Sequence, residues 1–218
     1  MNKKLLQLAG LLIWLGSQGF AQEYPAADVL IKNAHVITIT DGTLENTDVL
    51  IQGGIIKKIG ANLKAKKNIP IVDAAGQYLM PGIIDAHSHL ALEIVNEASS
   101  PITSEVQMRD VIDPFDLSIY RALAGGTTIS HAMHGSANVI GGQNVTLKHR
   151  YGTADPDKLV MEKAPRTIKF ALGENPTRVH GIGKNLQPRS RMGVEAVIRN
   201  GFEEALQYKK TWESWEKD

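Results

Sequence analysis

The chain has 218 residues, enough for one sizeable core or for a core with a small satellite domain. Its 24 Lys and Arg stand against 23 Asp and Glu, a balance that gives no electrostatic footprint for nucleic acid or a strongly anionic partner. It contains no cysteine, which excludes disulfides and thiolate ligands and leaves nitrogen and oxygen donors for any metal.

The first residues, "MNKKLLQLAGLLIWLGSQGFAQ", carry Lys3 and Lys4 ahead of an apolar run from Leu5 to Leu15. Gly19 and Ala21 then suit a signal-peptidase site after Ala21. Residues 1–21 are therefore expected to be a signal peptide, and the protein to be periplasmic or secreted. The apolar run is short for a bilayer span, which needs about 20 residues, so no stable membrane span is expected. A buried N-terminal helix or a short membrane anchor is the alternative.

Residues 22–80 are predicted to form an N-terminal β-domain. "DVLIKNAHVITI", "DVLIQGGIIKKIG" and "IPIVDAAGQYLMPG" each set apolar residues among polar ones, with Gly and Asp separators that fit antiparallel hairpins. So few side chains can be buried there that its isolated stability is doubtful. His35 is expected to be structural.

Residues 81–218 change to alternating strands and helices, the pattern of a mostly parallel sheet. "YLMPGIIDAH" reads as a strand. "DPFDLSIYRALAGG" reads as a helix with Asp113 as N-cap, Pro114 at its first position and Gly125–Gly126 as its stop. "TTISHAMH" and "NVTLKHR" read as strands on either side of an irregular "GSANVIGGQ", which lacks the spacing and lysine of a phosphate loop. "RTIKFALGENP" starts as a strand. From Arg191 a helical pattern runs to the end, with Gly201 arguing against one unbroken helix. Trp212 and Trp215 are expected to meet another packing surface.

"PGIIDAHSHL" places His87 and His89 one residue apart at the exit of an apolar strand. Residues i and i+2 of a strand point the same way, so both imidazoles can converge on one ion at the usual Zn–N distance of about 2.0 Å. Asp85 can orient an imidazole or cap a turn. The spacing alone also fits two polar residues where a buried strand meets water.

With the proline–glycine, aspartate and histidine signature following "DVLIKNAHVIT" and "IVDAAGQYLMPG", residues 28–89 resemble the metal-dependent amidohydrolase superfamily. "ALAGGTTI" resembles the next strand of that superfamily, and "GSANVIGGQ" and "KFALGENPTRVHG" are similar to segments of its imidazolonepropionase-like and prolidase-like exported members. The resemblance implies an α/β fold, a partial (β/α)8 barrel, or TIM barrel, preceded by a small β-sandwich-like domain. It implies a divalent metal, zinc by default, held first by His87 and His89, and hydrolysis of a C–N bond in a small amide, lactam or peptide-like substrate. Glu174 is the carried-over candidate for the acidic ligand, with an exposed loop glutamate as the alternative. Lys169 is read as a solvated or sheet-edge lysine, with a carboxylated bridge as the alternative. His131 and His134 are expected near the site as contacts or as locally bonded loop residues, and His180 is the least persuasive of the group.

The family's later histidines and water-activating aspartate find no matching positions, so no catalytic residue is assigned. The expectation is an N-terminal portion that is inactive alone and needs a C-terminal half or a homo-oligomeric partner. The alternative is a non-catalytic exported metal-binding or assembly protein that keeps half of the fold. An intact open-sheet α/β enzyme fits the length, but leaves the β-domain and the histidine signature unexplained.

Overall fold

The Gly53–Gly54 pair and short apolar runs shape the first part of the chain. The computed structural model describes residues 28–217, which divide into two units between Gly82 and Ile83. The expected signal peptide lies outside the described residues. Among these, no helix is long and apolar enough to cross a membrane.

In the first unit, β1 (Val29–Ile37) pairs antiparallel with β2 (Thr43–Gln52), and β2 pairs antiparallel with β3 (Ile55–Gly60). The β2–β3 turn needs two left-handed residues, and Gly53 and Gly54 supply them with φ of 59° and 71°. The short strands β4 (Ile71–Asp73) and β5 (Tyr78–Leu79) both join β1 in parallel. The sheet is thus mixed, where hairpin spacing predicts an antiparallel one. The difference arises because residues 61–70 cross back to the free edge of β1 instead of turning tightly. Ala34, Val36 and Val49 form the small buried core. Asp48 is also buried, and its carboxylate accepts the Asn33 and Leu63 N–H groups at 3.0 and 2.9 Å. His35 pairs with Glu45 and lies against Tyr78, a structural role.

The second unit is mixed α/β. Its β6 (Ile83–Ser88) pairs in parallel with β7 (Thr127–Ala132) through a connection containing helix α1 (Leu117–Ala124). The strand-like run "YLMPGIIDAH" is therefore two strands, because Pro81 and Gly82 interrupt it between β5 and β6. Helix α1 starts three residues later than its sequence suggests. Asp113 instead closes a turn by accepting the Phe115 N–H. Asp116 is the N-cap, accepting the Ser118 N–H at 2.8 Å while its other oxygen takes the Ala91 N–H at 2.7 Å.

The "VIGGQ" segment contains a strand, β8 (Ile140–Gln143), where an irregular loop is expected. Asn144 alone separates it from β9 (Val145–Lys148). The two strands serve different sheets: β8 pairs antiparallel with β10 (Ile168–Phe170), and β9 pairs antiparallel with β7. This division leaves β6–β7 as the parallel strand pair of the described residues in this unit, in place of a mostly parallel sheet. One core gathers Met108, Ile119, Ala132, Leu147 and Leu159 under α1, and a second joins Val139, Ile140 and Val194.

Helix α2 (Arg191–Trp215) runs 25 residues unbroken, with Ser190 capping it by accepting the Gly193 N–H. Gly201 does not break it; a Cβ there would come within 2.8 Å of Ile102 Cδ1, so the helix crosses closely at that point. Trp212 and Trp215 pack edge-to-face on each other and remain exposed.

Candidate metal centre

Strand β6 delivers His87 at its end, and His89 follows after Ser88, whose side chain is buried. The two rings meet edge-on with centroids 5.4 Å apart. Asp85 accepts the His87 backbone N–H at 3.0 Å, so it supports the turn. His89 Nδ1 lies 2.8 Å from the Met133 carbonyl at the exit of β7. A carbonyl only accepts, so Nδ1 carries the proton and Nε2 keeps its lone pair for a ligand.

Lys169 lies in the middle of β10, which pairs on one side only with β8, so its reading as a sheet-edge lysine fits, whereas its reading as a solvated one does not. It is buried, with Nζ 3.3 Å from His87 Nε2. Burial lowers its pKa from the ordinary lysine value. Among the described residues it has no carboxylate partner in an ion pair. Glu174, four residues beyond the end of β10 in a short helical turn, pairs with Arg178 at 2.7 Å and is exposed. The structure thus brings His87, His89 and Lys169 together, and it gives Glu174 a local partner.

The other histidines divide by their partners. His131 on β7 is held by hydroxyls at both nitrogens, Thr146 Oγ1 at 2.9 Å and Thr167 Oγ1 at 2.8 Å. Burial, then the neighbouring His87, lowers its pKa. His134 is fully buried: Nδ1 faces the Gly135 carbonyl at 2.9 Å, and Nε2 accepts the Glu97 N–H at 2.9 Å. Its backbone N–H reaches Asn144 Oδ1 at 3.0 Å. The ring lies on Gly141 and Gly142, where added Cβ atoms would meet it at 2.6 and 3.0 Å. That close approach accounts for the glycine pair. His180 is also fully buried; the Ala137 backbone approaches its ring, but neither ring nitrogen closes a hydrogen bond with a described residue.

Burial holds the pKa values of His131, His134 and His180 below the ordinary 6.5. The unfolded chain therefore takes up protons first as the pH falls. Their contribution to stability is complete above 6.5 and is lost as pH falls below it towards the folded-state values. Denaturant unfolding is expected to give a lower midpoint at about pH 5 than at about pH 7.5, a window above the range where carboxylates titrate. Equal midpoints would show that these rings are not held neutral by the fold.

Among the described residues no group of three His, Asp or Glu side chains converges as a metal cage. The donors present nevertheless fit a divalent cation: two adjacent imidazoles, one with its lone pair left free, beside a buried amine whose pKa burial lowers. The burial of Lys169 has no local signal in the sequence, since Ile168 and Phe170 on either side of it point to the opposite face of the strand.

No family model matches the chain. It is 34% identical over 194 residues to the amidohydrolase tasK of Hapsidospora irregularis, covering 77% of this chain and 19% of that protein. It is 38% identical over 100 residues to a dihydropyrimidinase of Dictyostelium discoideum, covering 46% of this chain and 17% of that protein. The crystal structure of an amidohydrolase from Thermotoga maritima superposes with a TM-score of 0.79 at 38% identity, covering 87% of this chain and 50% of that one. The chain thus spans about a fifth of the length of these curated relatives and half of the solved structure.

Proposed function

Since this chain belongs to the amidohydrolase superfamily, we propose that it carries part of the metal site of a hydrolase acting on carbon–nitrogen bonds. The observation that carries this reading is the contact of the His87–His89 pair with the buried Lys169 amine. The finer fold assignment belongs to the same proposal: the second unit as part of a (β/α)8 barrel, the first as part of a sandwich-like domain.

His87 and His89 would hold the cation through their Nε2 atoms, with zinc the default for imidazole donors. A bound divalent ion polarises a substrate carbonyl and makes water a better nucleophile. His89 is kept in the ligating tautomer by Met133, and His131 is fixed beside His87 by two threonines. Lys169 would serve best as a carbamate: the amine, once it has given up its ammonium proton to water, adds to CO2, an N–C bond forms, and a second proton passes to water. The buried amine then becomes an oxygen ligand of opposite charge. Glu174 is the alternative acidic ligand, provided it leaves Arg178.

Among the described residues the His87 and His89 rings bond Lys169 and the Met133 carbonyl, and Asp85 is engaged by the His87 backbone N–H, so no carboxylate bonded to either ring is in place to move the proton from water to the leaving nitrogen. Hydrolysis of a small amide, lactam or peptide-like substrate is therefore proposed for the longer polypeptide that the relatives possess, or for an assembly with a second chain. Export to the periplasm or outside is proposed from residues 1–21.

The test is metal content per chain by plasma mass spectrometry, with His87→Ala/His89→Ala alongside. Near-stoichiometric zinc, lost in the double variant, is the expected result. Bound metal without amide hydrolysis, even with the remainder of the polypeptide supplied, would favour the non-catalytic binding reading. Negligible metal in both proteins overturns the metal site.

A further inference from the structure

A cleft of about 350 Å³ lies beside the β8–β9 junction, bounded on its other side by residues 160–167. That volume is at the small end of ligand sites. Its wall is polar and holds two arginines in contrasting states. Arg109 is neutralised twice, by Asp157 at 2.8 Å and by Glu162 at 2.9 Å. Arg166 has no acidic partner among the described residues. Its guanidinium donates to Gln143 Oε1 at 2.9 Å, and the Gln143 amide is itself held on the Ser104 carbonyl at 3.2 Å. One edge of the guanidinium is thus oriented by a fixed neutral acceptor, and its other donors remain available to an anion.

Glu162, the acidic residue in the wall, is engaged by Arg109, so the cleft keeps the positive charge of Arg166. Thr146 and Thr167 also line it, and these two hydroxyls fix His131. The cleft therefore adjoins the candidate metal centre through one imidazole.

We propose that this cleft binds the carboxylate of a small organic acid, with Arg166 as the recognising group. A planar guanidinium with free parallel donors matches a carboxylate in a bidentate pair. The head group is exposed, so recognition is expected to be weak and to rest on the oriented fork. As part of a substrate site the pocket depends on the hydrolase reading; as a carboxylate pocket it stands by itself. If both hold, the hydrolase substrate carries an acid group at a distance from the bond that is cut.

The test uses the full chain freed of metal with 1,10-phenanthroline, a chelator without carboxylates, so that failure of the metal site does not enter. N-acetylglycine is titrated against the neutral N-acetylglycinamide, with amide and guanidinium NMR signals as readout. The acid is expected to bind about tenfold more tightly than the amide, moving the signals of Arg166, Gln143 and Asn144. Arg166→Gln, at an exposed position that leaves the core intact, is expected to abolish the difference, and Arg166→Lys to retain part of it. No saturable shift, equal binding of acid and amide, or an unchanged preference in Arg166→Gln would each overturn the proposal.

Discussion

Lys169→Met is expected to weaken zinc binding by about 10- to 100-fold, the range typical when a group supporting a metal site is removed. The same change is expected to leave the fold intact or to stabilise it by about 1 kcal/mol. Both effects have one cause. The side chain is buried with Nζ 3.3 Å from His87 Nε2, and among the described residues it has no ion-pair partner. Methionine keeps the length of the chain and removes the polar head, so the desolvation cost disappears along with the ligand. Lys169→Glu, which places a permanent carboxylate near the same point, is expected to retain more of the affinity than methionine does. Competition with a chromophoric chelator gives the affinities, and thermal unfolding gives the stability. Unchanged affinity in Lys169→Met would make the lysine a neighbour of the histidines and not part of their site.

The second large effect is expected at the glycine pair. Gly142→Ala sets a Cβ 2.7 Å from Val106 Cγ2, 2.9 Å from the Val106 carbonyl and 3.0 Å from His134 Cδ2. The carbonyl cannot give way without breaking the bond it accepts from the Gln143 N–H at 2.8 Å. Overpacking of this kind costs about 1–3 kcal/mol, and two rigid neighbours argue for the upper part of that range. Chemical denaturation of the variant should show the loss in the midpoint with little change in slope. It should also loosen His89, whose carbonyl partner Met133 directly precedes the displaced His134. A variant as stable as the parent would mean that β8 can move away from His134 at little cost.

Local chemistry made much of this architecture legible in the sequence. The Gly53–Gly54 turn, the apolar runs of β1 to β3, the stop of α1 at Gly125 and the strand carrying His131 all depend on residues close in the chain. The histidine pair was legible for the same reason, since two-residue spacing on a strand decides which side chains share a side. What escaped was decided at a distance. Gly141, Gly142 and the asparagines around them read as a loop, because nothing local shows that β10 will arrive 25 residues later to pair with Ile140 and Gln143. The burial of Lys169 escaped for the same reason, since it depends on that pairing and on the histidine it meets 82 positions away. The start of α1 shows the opposite difficulty. Asp113 and Asp116 are equally good caps by composition, and the Ala91 N–H, supplied from an earlier loop, selects the second.

Asn144 has a consequence for how this region tolerates insertions and deletions. Strands β8 and β9 belong to different sheets, yet this single residue joins them. In the present spacing Thr146 lies opposite His131, and its hydroxyl reaches the imidazole. One residue added or lost at Asn144, with β9 keeping its place beside β7, slides the register by one and turns every β9 side chain to the other face. Val145 or Leu147 would then stand where Thr146 does, and His131 would lose the hydroxyl at Nδ1. Most connections between strands can lengthen freely at the surface. Here the length of the connection is itself part of the site, and alleles that differ in length at this point should be as damaging as substitutions of the histidines.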